Sequence, residues 1–205
     1  MNNQDKRARG RPKTVKKQET TELAMQIYWE EGIHKYSLNE ICRRVKISKP
    51  ALYREFKNED GLMEATLIHY RELVILPMLS LRELPLTFSE VLSQAIEILT
   101  SERDRPAGCL FTHLRLAKPF LGTATLHRLE EIEKERFIAF QEWYGKALEL
   151  GQVNPELSPT LAAGYIDTQL NTLLLQMGAG GDPQLIREHA KLAFKVLTIQ
   201  PAAKL

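Results

Sequence analysis

The chain has 205 residues, 43% apolar and 26% charged, enough to bury a real core as one large or two small domains. It has no run of about 18 apolar residues to suggest a membrane span, no apolar h-region behind its basic N-terminus, and only two widely separated cysteines, Cys42 and Cys109, which excludes a disulfide framework. The net charge of +2 hides a polarity: residues 1–57 hold fourteen Lys/Arg against seven Asp/Glu, and the remainder holds fourteen against nineteen. That division predicts a basic end that meets a polyanion and an acidic body left for other work.

Residues 1–13 read as a basic, disordered arm. Its core, Arg9-Gly10-Arg11-Pro12-Lys13, has two readings. An extended Arg-Gly-Arg resembles a single AT-hook core and can lie in a narrow A·T-rich minor groove; the same composition also suits a solubilising tail. A first helix is predicted from about Thr14 to Glu31, with Leu23, Ala24, Ile27 and Tyr28 inward and Gly32 as its stop.

The run Ser37–Phe56 then reads as two short helices joined by a tight turn. Ser37 is a good N-cap, Glu40 completes a capping box, and Tyr36 and Ile41 form a hydrophobic staple. Leu38, Ile41, Cys42 and Val45 form one apolar face at helical spacing. Ser48 caps the second helix, Pro50 sits in its first turn, and Ile47 and Leu52 form another staple. Leu52 and Phe56 point inward, which leaves Lys49, Ala51, Tyr53, Arg54 and Lys57 to face outward. A two-turn helix with small residues at its start and basic residues near its end suits the major groove better than a core. Tyr53 and Lys57 are predicted to hold phosphates, and Lys49, Pro50 and Ala51 to approach base edges, with Ala51 near a thymine methyl. Arg9, Arg11, Lys13, Thr14, Ser37, Lys46 and the capping Ser48 complete the candidate DNA-binding set.

The stretch Leu23–Met63, LAMQIYWEEGIHKYSLNEICRRVKISKPALYREFKNEDGLM, resembles the DNA-binding domain of the TetR family of transcriptional regulators. Ala24, Ile27 and Tyr28 before Gly32, then Ser37-Leu38, Ile41, Ser48, Leu52-Tyr53, Phe56-Lys57 and Leu62 carry the likeness. One departure stands out. The family turn usually has a small residue and then Gly, whereas here it reads Val45-Lys46. A left-handed Lys46 costs about 1 kcal/mol relative to Gly.

Residues 14–57 are thus predicted to be a three-helix helix-turn-helix head, and residues 58–205 a helical ligand-binding and dimerisation body. Asn58 caps a long fourth helix that Pro77 should kink or end. Its apolar side takes in Leu62, Leu67, Tyr70, Leu73 and Val74, and the resemblance implies that it links head to body. Thr87 and Glu90 make a capping box for the next helix. Further helices are predicted at about Cys109–Ala117 and Thr123–Leu150, then from Ser158-Pro159 to about Gly178, and from Asp182-Pro183 to about Ile199. The expected fold is all-α, with about nine helices and no competing strand pattern.

The last two helices are apolar around much of their girth, through Leu161, Tyr165, Leu170, Leu173, Leu174 and Met177 on one and Leu185, Leu192 and Val196 on the other. An intramolecular core would account for that. The reading preferred here, which the resemblance also implies, is a homodimer interface in which two such pairs form a four-helix bundle. The resemblance further implies a small-molecule ligand in the body that releases DNA. Candidate lining residues are Tyr70, His113, Phe140, Trp143, Tyr144 and Gln169. Cys109 carries a thiol-sensor reading, and Cys42 reads as packing.

No nucleotide-binding, zinc-protease or nucleophile-elbow motif occurs, so an enzyme, a cofactor and a metal are not expected. The acidic run Glu130, Glu131, Glu133, Glu135, interleaved with Lys134 and Arg136, reads as a solvated face. The resulting expectation is a cytoplasmic, homodimeric repressor of double-stranded DNA with no membrane association. Two alternatives stay open: an architectural A·T-rich binder acting through the arm, and a small-molecule-binding helical protein with an inactive head.

Overall fold

The computed structural model describes residues 13–33, 35–101 and 106–199. Among them are ten α-helices and no sheet. The first three, Lys13–Glu31 (α1), Leu38–Arg44 (α2) and Lys49–Phe56 (α3), form the head. Tyr28, Trp29, Ile41, Val45, Leu52 and Phe56 are buried in its core. Leu23, expected inward, is 39% exposed. The Ser37 hydroxyl accepts from the Glu40 backbone N–H, and the Ser48 hydroxyl accepts from that of Ala51. The box at Ser37 is only half formed, because the Glu40 carboxylate pairs with Arg43 instead.

The turn between α2 and α3 is a Schellman motif. The Ile47 N–H donates to the Cys42 carbonyl at 3.0 Å and the Lys46 N–H to that of Arg43 at 3.3 Å. Lys46 occupies the left-handed position at φ 56°. The same two-bond pattern ends Thr123–Glu149 (α8) and Pro159–Gly178 (α9), where glycines hold the left-handed place at Gly151 (φ 66°) and Gly180 (φ 77°). The missing glycine therefore leaves the turn's form intact and places the strain on Lys46.

Glu59–Tyr70 (α4) starts under the Asn58 cap and packs against both α1 and α8, joining head to body. Pro77 does not end this helix. The path widens into a π-turn over Arg71–Ile75 and resumes as Leu76–Ser80 (α5). A proline ring clashes with the carbonyl four residues earlier, here Leu73, and the π-turn falls across that position. The extra residue also rotates Leu73 outward, to 53% exposed.

Phe88–Thr100 (α6) opens on the predicted Thr87–Glu90 capping box. Leu110–Leu116 (α7), α8 and α9 follow, then Pro183–Phe194 (α10). The last helix stops short of the predicted Ile199. A 3₁₀ turn over Lys195–Leu197 redirects the chain, so that Thr198 bridges Val153 and the Asn154 N–H donates to the Leu197 carbonyl at 2.9 Å. Tyr144, fully buried, donates from its hydroxyl to the Asn154 carbonyl and seals the same corner.

Candidate functional site

Two places in the molecule gather chemistry: the outer face of α3 and a cavity inside the body. On α3, Lys49, Pro50, Tyr53, Arg54 and Lys57 are exposed, with Tyr53 at 46%. Ser48, Ser37 and Lys46 are exposed beside them. Ala51 is a correction. Expected to face outward, it is 9% exposed, because a single methyl beside the inward Leu52 barely rises above the backbone that surrounds it. Lys13 and Thr14 open α1, but their side chains, like Arg9 and Arg11 entirely, lie outside the described residues.

Glu31, at the end of α1, ties that helix to α2 and to the loop between them. Its carboxylate pairs with Arg44 of α2 at 2.5 Å and Lys35 at 3.0 Å and accepts from the Tyr36 hydroxyl. The Arg44 guanidinium also stacks over the Tyr36 ring, 4.5 Å from its centre. The hydrogen bonds from Tyr36 and Lys35 hold the Glu31 pKa down at about 2. Lys57 ends α3 at φ 70°, a second strained lysine at the rim of the same face.

Asp60 forms the joint between head and body, a role that no local sequence signal marks. It sits in the first turn of α4, yet its carboxylate caps the neighbouring helix α8. It accepts from the backbone N–H groups of Ala124 (2.9 Å) and Thr125 (3.1 Å) and from the Thr125 hydroxyl (2.6 Å). Burial pushes the Asp60 pKa up, but these bonds outweigh it and the net shift is downward. Gly122 leaves the room needed: a Cβ there would fall 2.2 Å from the Asp60 carboxyl carbon.

The body cavity encloses about 560 Å³. Of the predicted lining, Tyr70, Phe140 and Trp143 are present. His113, Tyr144 and Gln169 are not. His113 is half-buried elsewhere, with burial lowering its pKa; Tyr144 is committed to the Asn154 corner, and Gln169 points away on α9. Cys109 lies in the wall, and its sulfur accepts from the Tyr70 hydroxyl at 3.1 Å. Cys42 is buried packing, and burial raises its thiol pKa.

Arg136 corrects the solvated-face reading of the charged run. It is 7% exposed, lines the cavity, and pairs with Asp167 at 2.9 Å. Its neighbours Glu133 and Glu135 are also engaged, with Arg115 and with Arg71. The register was legible: Ile132, Arg136 and Phe140 fall four apart on one helix stripe.

The predicted dimer surface also divides. Leu161 (62% exposed), Leu185 (53%), Leu192 (65%) and Val196 (44%) stand outward on α9, α10 and the 3₁₀ turn that follows. Leu170, Leu174 and Met177 instead line the cavity, and Leu173 is buried within the chain. Tyr165 ties α9 to α10, donating to the Ala193 carbonyl at 2.9 Å. Helix α9 therefore carries apolar residues on two sides, one closing the cavity and the other meeting solvent.

The fold and the exposed second helix of the pair define a helix-turn-helix head joined to an all-α body. Residues 21–66 match the family described as bacterial regulatory proteins, tetR family. The HTH-type transcriptional repressor ComR of Escherichia coli (strain K12) is 35% identical over 65 residues, 32% of this chain and 31% of that one, so the likeness spans about a third of the relative's length. Two solved structures share the fold across nearly the whole length. Reduced NemR of E. coli aligns at TM-score 0.78 and 13% identity, covering 92% of this chain and all of that one. A cysteine mutant of CifR, complexed with a 26-bp double-strand operator DNA, aligns at TM-score 0.76 and 19% identity, covering 95% and 100%.

Proposed function

We propose that this protein is a homodimeric, sequence-specific DNA-binding repressor that leaves a palindromic operator when a small molecule fills the body cavity. The observation that carries the reading is the outer face of α3. Three cations and a tyrosine stand in solvent there, on a helix of two turns whose inner face is fixed by Leu52 and Phe56. In this reading Tyr53, Lys57, Lys46, Ser37 and Ser48 hold phosphates, and Lys49 and Pro50 meet base edges.

The exposed leucines of α9 and α10 support the dimer. Four large apolar side chains in solvent on adjoining helices suit a self-complementary two-fold interface. Dimerisation sets two α3 helices against half-sites about 34–36 Å apart, or a multiple of that turn. The cavity supports ligand control, since the α4 that reaches it also bears on the head. No described helix is long and apolar enough to cross a membrane, and a DNA-binding regulator works in the cytoplasm.

Deleting residues 1–13 tests the assignment to α3. Retention of specific fragments from a digested genome should weaken yet stay selective. Loss of all selectivity would transfer recognition to the Arg-Gly-Arg arm.

A further inference from the structure

The cavity wall is chemically lopsided. Its aromatic lining includes Trp29, Tyr70, Phe140 and Trp143, while its charged groups among the described residues are two arginines, Arg82 and Arg136, and no carboxylate. Arg82 is partly exposed and pairs with Glu83 at 3.0 Å. Arg136 is the interior one, its guanidinium 4.7 Å from the centre of the Phe111 ring and 5.7 Å from that of Phe140.

The charge around Arg136 is not balanced locally. Its partner Asp167 is shared with Arg115 at 2.7 Å and with the Asn171 side-chain amide at 3.0 Å. Arg115 in turn shares Glu133 with Lys118. The ladder from Arg136 to Lys118 thus holds three cations against two carboxylates, and Arg136 is its member at the cavity wall. A guanidinium has five N–H donors, and the Asp167 contact uses Nη2. A low-dielectric wall with a surplus positive charge favours an anion.

We propose that the cavity selects an amphipathic acid: a largely apolar molecule whose single carboxylate, or equivalent oxyanion, pairs with Arg136. This deepens the regulatory reading above and rests on it only for the effect on DNA. The apolar part packs among the aromatic rings, and the oxyanion takes the place of water at the guanidinium. A neutral molecule of the same shape leaves Arg136 with Asp167 alone and the surplus positive charge uncompensated.

The chain's two tryptophans, Trp29 and Trp143, both line the cavity, so intrinsic fluorescence reads its occupancy. The probes are two non-absorbing pairs: octanoate against octanamide, and 3-cyclohexylpropionate against its amide. Each carboxylate should bind saturably and about tenfold or more tighter than its amide. Arg136→Gln should bring the ratio near one, Arg136→Lys should keep part of it, and Arg82→Gln should leave it unchanged. Thermal melts of each variant report folding, and the wild-type ratio stands without them. Equal binding of acid and amide, no saturable response to either acid into the millimolar range, or a preference that follows Arg82 would each overturn the proposal. Acid-selective binding that leaves DNA affinity unchanged supports this inference and removes the regulatory reading.

Discussion

The head and the body treat positive charge in opposite ways. On α3, Lys49, Arg54 and Lys57 stand in water, where ion pairs are weak and salt screens them. In the body, Arg136 is buried, held by one carboxylate and flanked by two phenylalanine rings. A solvated cation suits a long polyanion that releases its own counterions on contact. A desolvated cation suits one small anion, because its orientation is fixed before binding and its strength survives salt. Where a cation stands therefore indicates which kind of partner it can serve.

The comparison breaks most visibly at α3. Replacing Lys49 and Tyr53 together with Ala should lower specific DNA affinity by about 100-fold at about 0.1 M salt. The melting temperature should hold, since both side chains are exposed. Fluorescence anisotropy on a selected site, with a parallel melt, checks both halves. A fall in melting temperature as large as the fall in affinity would make α3 a packing element rather than a reader.

The joint between the regions comes next. Asp60→Ala strips the cap from α8 and should cost about 1–2 kcal/mol in urea unfolding. Gly122→Ala forces a Cβ against the same carboxylate and should destabilise in the same direction. If neither variant moves the urea midpoint, Asp60 does not couple the two regions.

A smaller effect of opposite sign is expected at the turn. Lys46→Gly relieves a left-handed lysine and should stabilise the protein by about 1 kcal/mol. If Lys46 also neutralises a phosphate, the same variant should shallow the log–log salt dependence of DNA binding by about 0.9. Stability gained with an unchanged salt slope would confine Lys46 to a structural role.

The mildest test uses pH. Glu31 has its carboxyl pKa lowered from 4.5 to about 2 in the folded head. A depressed carboxylate pKa gives stability that is fully present above the unfolded value and lost as pH falls through the folded one. The head should therefore weaken between about pH 4.5 and 2, and Glu31→Gln should flatten that limb of the acid unfolding curve. An unaltered limb in the variant would show that the Glu31 cluster adds nothing to folding.

The head was legible because its signals are local. Ser37, Ser48 and Asn58 each cap a helix within three residues of themselves, and Gly32 stops α1 where it stands. The all-α fold followed from similar punctuation at Thr87, Pro159 and Pro183. The cavity was only half legible. Whether an apolar residue of α9 faces a void or solvent depends on helices far away in sequence, so Leu170, Leu174 and Met177 were indistinguishable from Leu161. Asp60 was hidden for a related reason. An acid in a helix's first turn already has a local explanation, and nothing nearby marks the second helix that it caps.

The most direct test of recognition by α3 is DNA selection from a random pool with the full-length protein, read by sequencing, beside the Lys49→Ala/Tyr53→Ala variant. The wild type should enrich a two-fold symmetric consensus whose half-sites lie one helical turn or a multiple apart, and the variant should lose it. An unenriched pool, or the same consensus from the variant, would contradict the account.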